Sequence, residues 1–156
     1  MQSLLVFFSG VNTMSEKTKL SRREARELAF KILFAKDFDN ETPAKDFLDT
    51  YVEVSETPVN DYVIDTFTGV CETLSEIDEE IEAYSVKWKV GRMSVATRTV
   101  LRLAVYEMTK TETPAKVVIN EAVEIIKAYD EETAPSFVNG ILNNIAKQKG
   151  LFGEKN

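Results

Sequence analysis

Histidine is absent from the 156 residues of this chain, and cysteine occurs once, at Cys71. The first absence removes the commonest general base and metal ligand near neutral pH and excludes any Ser-His-Asp constellation. The second excludes an intrachain disulfide and a thiolate zinc cluster, so a reducing, cytoplasmic setting is expected and export is not. Glycine is scarce too: the six residues form neither G-x-x-x-x-G-K-[ST] nor G-x-G-x-x-G, which leaves no recognisable phosphate-cradling loop. No apolar run approaches the roughly 20 residues that a transmembrane helix needs, so no membrane association is expected. The paired acids of "EIDEEIE", residues 76–82, offer one route to acid–base or metal chemistry, but a solvated helix face accounts for them more simply. This inventory disfavours an enzyme, and no cofactor or resident metal is expected.

What is present suits one ordinary domain. Hydrophobic residues make up 44% of the chain, enough to bury a core without covalent staples. "MQSLLVFFSGVNT" opens with an apolar burst at Leu4 to Phe8, without the basic leader or the roughly 7 to 15 apolar residues of a signal peptide. Residues 1–20 are therefore read as a flexible extension, with the native start at Met14. Residues 21–150 are read as a helical domain and 151–156 as a tail.

Charge is segmented along the chain. The formal net charge of −7 divides into +2 over residues 14–40, −12 over 41–82, +5 over 83–110 and −2 over 111–156. Acidic runs are most simply solvated helix faces. Cations concentrated in an acidic protein can present a local positive field to a polyanion. Two segments do so: "SRREARELAFKILF" at 21–34, and "KWKVGRMSVATRTVLR" at 87–102 with Arg92, Arg98 and Arg102.

Periodicity predicts helices almost throughout. Ala25, Leu28, Ala29, Ile32, Leu33 and Ala35 recur at spacings of three and four, placing them on one helical face, with Ser21 as N-cap. "AKDFLDTYVEV" follows Pro43 as a second helix. "VNDYVIDTFTGVCETLSEIDEEIEAYS" follows Pro58 as one long helix or two short ones, because Gly69 permits a break. Further helices are expected from Ser94, after Pro114, and from Thr133 with Pro135. The fold class is thus all-α, an antiparallel helical bundle, with the polar link near Gly91 separating two small subdomains.

Two places suggest chemistry. On the first helix, Arg23, Phe30, Phe34 and Phe38 share a flanking strip with Lys31 beside it. Mixed cations and aromatics bind single-stranded nucleic acid, although a second core face is the simpler reading of Phe30 and Phe38 and fits Phe34 equally well. At the start of the last helix, Thr133 and Ser136 lie where free N–H groups favour an anion. Phe137 beside them either stacks a base or anchors the core with Val138 and Ile141. Gly140 costs roughly 1 kcal/mol relative to alanine inside a helix, which suggests close approach of another helix, and Asn139 is placed to tie its side chain to backbone or base.

The stretches "SRREARELAFKILF", "SVATRTVLRLAVYEM" and "TPAKVVINEAVEIIKAYDEETAPSFVNGILNNIAK" resemble the NusB family of bacterial transcription antitermination factors over Ser21 to Lys147. The "INEAVEI" and "SFVNGIL" elements are its more specific part. The resemblance implies an all-helical fold of two small bundles. It also implies binding to the boxA element of nascent ribosomal RNA jointly with the ribosomal protein NusE, in an elongation complex with RNA polymerase. Residue by residue, the family's RNA contacts fall on Arg22, Arg23, Arg26, Phe34, Phe137, Val138, Asn139 and Gly140. Two positions depart from the pattern: Ser136 stands where many relatives carry lysine, and Phe34 where tyrosine is frequent. Related domains occur fused to RNA cytosine methyltransferases, but this chain is too short to hold that catalytic domain. Arg98 and Arg102 add a few expected phosphate contacts. The alternative is a helical adapter whose acidic surface docks a basic partner without touching RNA.

Overall fold

The computed structural model describes residues 19–85 and 88–153. The start expected at Met14 lies outside them. Seven α-helices and one short 3-10 turn account for the regular structure, with no strand among the described residues. They are α1 Arg22–Lys36, α2 Ala44–Ser55, α3 Asp61–Glu72, α4 Leu74–Tyr84, α5 Val95–Lys110, α6 Ala115–Tyr129 and α7 Ala134–Gln148. The 3-10 turn is Val90–Arg92.

Local chemistry sets the helix starts. Ser21 accepts the Glu24 N–H while the Glu24 carboxylate accepts the Ser21 N–H, a reciprocal capping box that satisfies two otherwise orphaned donors. Asn60 and Ser94 cap α3 and α5 through the N–H groups of Val63 and Thr97. Thr133 sits at the N-cap of α7 without a side-chain cap bond, and Pro135 occupies the first turn.

The long segment after Pro58 forms two helices that part at Thr73, and α3 runs unbroken through Gly69. That glycine answers a packing need: a Cβ there would lie 2.3 Å from the Tyr106 hydroxyl of α5. Gly140 is the opposite case, since a Cβ there meets nothing within 4 Å. The close helix approach expected at Gly140 belongs instead to Gly69.

Helix α5 is the hub. It packs against α1, α3, α4, α6 and α7, and Val100, Leu101, Leu103, Ala104 and Met108 are all buried along it. Helices α1, α2 and α3 pack on one another, while α4 packs on α5 and α7, on the far side of the Gly91 link. The two helical groups therefore part at Thr73 rather than at Gly91. One continuous core runs from Ala25 to Ala146 through both.

Candidate nucleic-acid interface

The opening arginines separate as soon as α1 packs. Arg22 and Arg23 lie in the first helical turn and face the positive end of the helix dipole, whereas Arg26, one turn further on, points inside the protein. Only 3% exposed, it grips Glu107 of α5, itself 1% exposed, through Nε at 2.9 Å and a terminal nitrogen at 2.6 Å. Burial opposes its charge, but the Glu107 carboxylate more than compensates and raises its pKa. Tyr62 borders this pair, and burial together with the nearby Glu107 charge pushes its phenol up to about 12. Arg26, expected at a phosphate, is a core residue, because its place on the helix points it at α5.

Arg22 and Arg23 stay at the surface. The Arg22 guanidinium lies 4.3 Å from the centre of the Tyr62 ring, a cation–π contact that leaves its edge open. Arg23, with 70% of its side chain exposed, donates to Glu121 of α6 at 3.0 and 2.8 Å. Those bonds hold the Glu121 carboxyl below the usual carboxylate range. They also engage two of the five guanidinium donors. Lys31 is exposed on the same helix.

The aromatic strip divides between the two roles left open for it. Phe30 is buried against Tyr129 of α6, with ring centres 4.9 Å apart. Phe34 is half-buried, 6.0 Å from Phe30 and 5.5 Å from Phe38. Phe38, for which a core face is the simpler expectation, is instead 70% exposed, because α1 ends at Lys36 and the chain turns away.

The basic segment of α5 corrects a larger expectation. Arg98 donates to Asp37 at 2.5 Å and to the Met93 carbonyl at 3.1 Å. Arg102 bridges Asp37 at 2.9 Å and Asp78 of α4 at 2.8 and 2.9 Å. Burial opposes the Asp37 charge, and the two arginines outweigh it, keeping its pKa low. Lys110 pairs with Glu76 in the same way. The cations read as an RNA surface thus join the hub helix to α1 and to the acidic α4. Arg98 and Arg102 leave the set of candidate phosphate contacts, and Lys89 and Arg92 remain exposed in this segment.

At the start of α7, Thr133 and Phe137 line a groove of about 470 Å³ together with Trp88, Arg92, Ser94, Thr97, Asp130 and Glu131. Asp130 accepts from the Ser94 and Thr97 hydroxyls, the latter at 2.7 Å, and from the Glu131 N–H at 2.8 Å. Burial opposes its charge, and these hydrogen bonds keep its pKa low. Phe137 is half-buried, between its two expected roles, while Val138 and Ile141 are in the core. Ser136 and Asn139 are exposed, and the Asn139 side-chain oxygen and carbonyl both accept from Asn143. Helix α6 connects the two regions: Glu121 holds Arg23, and Asp130, nine positions on, borders the groove. At 1.5 Å per residue they lie roughly 13 Å apart along the helix. Trp88 was not anticipated here, and the chain's sole tryptophan beside two cations was its available signal.

A sequence model of the NusB family matches residues 23–147. The chain belongs to the NusB family. It is 38% identical over 138 residues to the transcription antitermination protein NusB of Thermoanaerobacter sp. (strain X514), covering 88% of this chain and 99% of that one. The NusB protein of Bdellovibrio bacteriovorus is 41% identical over 129 residues, covering 81% and 96%. Among solved structures, T. maritima NusB superposes with a TM-score of 0.73 at 37% identity, covering 84% of this chain and 94% of that one. A structure of antitermination factors NusB and NusE in complex with dsRNA superposes at 0.71 with 29% identity, covering 81% and 96%. The all-helical fold implied by the resemblance to NusB is the fold observed, and the NusB family is one of non-enzymatic antitermination factors.

Proposed function

We propose that this chain is a transcription antitermination factor that binds the boxA element of nascent ribosomal RNA jointly with ribosomal protein NusE, within an elongation complex of cytoplasmic RNA polymerase. The observation that carries this reading is the exposed Arg23 of α1 held by Glu121 of α6, a helix whose C-terminal end borders an aromatic groove at Phe137, with Arg22 and Lys31 also exposed on α1. The solved NusB relative in complex with NusE and dsRNA supports the same pair of partners. Cations hold the phosphate backbone and set register, while aromatic faces meet unpaired bases and carry discrimination.

Few cations are available for this work. Arg26, Arg98 and Arg102 are held by carboxylates, so the chain alone binds RNA weakly and with a shallow salt slope. NusE supplies further contacts, and linkage makes the effect reciprocal. Anisotropy titrations of boxA and scrambled RNA, with and without NusE, test the reading. Arg22→Ala, Arg23→Ala and Lys31→Ala should weaken both RNAs about equally, each reducing the slope of log affinity against log salt by about 0.7. Phe137→Ala should erode the preference for boxA. Absence of RNA binding both with and without NusE would refute the proposal.

One observation favours an additional adapter role. Glu41, Asp46, Glu53, Glu56, Asp61 and Asp65 are exposed and form no ion pair among the described residues. This acidic flank on α2 and α3 suits a basic protein. NusE binding without RNA that weakens on charge reversal at Glu53 and Glu56 would place the protein partner there.

A further inference from the structure

Glu121 of α6 stands between an arginine at the surface and one in the core. Its Oε1 accepts from Arg23 Nε at 3.0 Å and its Oε2 from an Arg23 terminal nitrogen at 2.8 Å, while Oε1 also lies 3.7 Å from a terminal nitrogen of Arg26. The Arg23 side chain is 70% exposed and that of Glu121 only 15%. Hydrogen bonding from Arg23 holds the Glu121 carboxyl below the usual carboxylate range, so it is ionised at neutral pH. Arg26 is gripped in turn by Glu107. The junction of α1 with α5 and α6 therefore gathers two guanidinium groups and two carboxylates, beside the uncharged phenol of Tyr62. The formal charge of this cluster is zero.

A neutral cluster is a poor partner for a polyanion. The Nε edge of a guanidinium, with its parallel pair of N–H donors, is the fork that takes a carboxylate or a phosphate in two bonds, and in Arg23 the Glu121 carboxylate occupies it. A phosphate on the remaining edge of Arg23 meets the Glu121 charge across the guanidinium. At about 6 Å in water one such charge lowers affinity roughly threefold, and more where solvent is partly excluded. Both approaches work against the carboxylate. Release of Arg23 would not strand Glu121, because Arg26 remains close enough to compensate its charge. We propose that Glu121 is an affinity-limiting residue for RNA, an internal competitor for Arg23 that keeps the chain's own hold on phosphate weak. This role presupposes the RNA-binding reading above and adds to it a residue that opposes binding.

The test titrates 5′-labelled boxA and scrambled single-stranded RNA with the full chain over a series of salt concentrations, followed by anisotropy. It compares the parent with Glu121→Gln, Glu121→Asp, Glu124→Gln, Arg23→Ala and the double variant Arg23→Ala with Glu121→Gln. Glu124→Gln makes the same change in net charge three positions along α6, where Glu124 bonds to Lys127 and acts on Arg23 only through space. Glu121→Gln should tighten binding about 3- to 10-fold at low salt. The factor should be similar for both RNAs, because phosphate contacts carry no sequence information, and should shrink as salt rises. Glu124→Gln should give a smaller gain, and most of the gain should vanish in the double variant. Glu121→Asp keeps a charge beside Arg26 but draws it back from Arg23, so it should give a smaller gain in the same direction and supplies the measurement if thermal melting shows that Glu121→Gln does not fold.

Three outcomes overturn the proposal and leave RNA binding intact. Weaker binding by a folded Glu121→Gln would make Glu121 a support that positions Arg23 for RNA. Affinity equal to the parent's, or a gain matched by Glu124→Gln, would make the bridge an inert surface pair. A gain undiminished in the double variant would show that Glu121 does not act through Arg23. No anisotropy change for the parent or any variant, with or without NusE, refutes the RNA-binding reading, and the role of Glu121 with it.

Discussion

Arg23 and Arg26 stand three positions apart on one helix, yet one is a surface cation and the other part of the core. Removing Arg26 would leave Glu107 charged and unpaired at 1% exposure; breaking a buried pair in this way costs about 3–5 kcal/mol. Arg26→Ala should therefore lower the urea midpoint sharply, while Arg23→Ala leaves it near that of the parent and shows its effect in RNA affinity. Equal stability of the two variants would place Arg26 at the surface after all. The glycines make a second contrast. Gly140→Ala should stabilise the fold by about 0.5–1 kcal/mol, because the added methyl enters open space on a helix. Gly69→Ala should destabilise it by about 1–3 kcal/mol, because the Tyr106 ring must move to admit a Cβ. Thermal unfolding of both variants reads the difference, and matching shifts would remove the packing account of Gly69.

Between helices, carboxylate–arginine bridges determine how the groups lock together. Asp37 at the end of α1 receives Arg98 and Arg102 from α5, and Arg102 continues to Asp78 on α4. One hub helix thereby clamps a neighbour from each group. The Asp37 carboxyl is held low in the folded state by the two arginines, against the opposing effect of its burial. Its contribution is complete above the unfolded aspartate value of about 3.9 and is lost as pH falls through the lower folded value. Stability measured by denaturant titration should therefore decline below about pH 4, and Asp37→Asn should be less stable at pH 7 with a flatter profile in that acidic range. A variant with the parent's full acid dependence would show that Asp37 is not among the groups responsible. The same bridges explain why α4 is no simple solvated face: Glu76, Asp78 and Glu80 pair with Lys110, Arg102 and Lys149.

Across the whole molecule, folding brings part of the charge that is segregated along the chain together, and leaves the acidic residues of α2 and α3 apart from it. Much of the +5 segment lies against the acidic α4 and the end of α1. Outward-facing features include the exposed cations Arg22, Arg23 and Lys31 of α1, Lys89 and Arg92 before α5, an aromatic groove at α7, and the carboxylates of α2 and α3. An acidic protein with so few free cations should need its protein partner for tight RNA binding. Calorimetry around the complete cycle should show NusE and boxA RNA strengthening each other by one common factor of roughly 5- to 150-fold. NusE affinity that is indifferent to saturating RNA would end the joint-recognition reading.

The sequence by itself determined the helices, their caps at Ser21 and Ser94, and the apolar faces of α1 and α5. These features arise from interactions within a few residues, and the 3.6-residue period displays them directly. It also excluded histidine-based catalysis and carried the NusB likeness in "INEAVEI" and "SFVNGIL". Only the tertiary structure decided which cations are free. Arg26 meets Glu107 across 81 positions, and Arg98 meets Asp37 across 61. Composition and periodicity contain no record of such distant pairings. For the same reason the Trp88 groove could not be read in advance: its walls come from the link before α5, the turn after α6 and the first turn of α7, and packing around the hub helix brings them together.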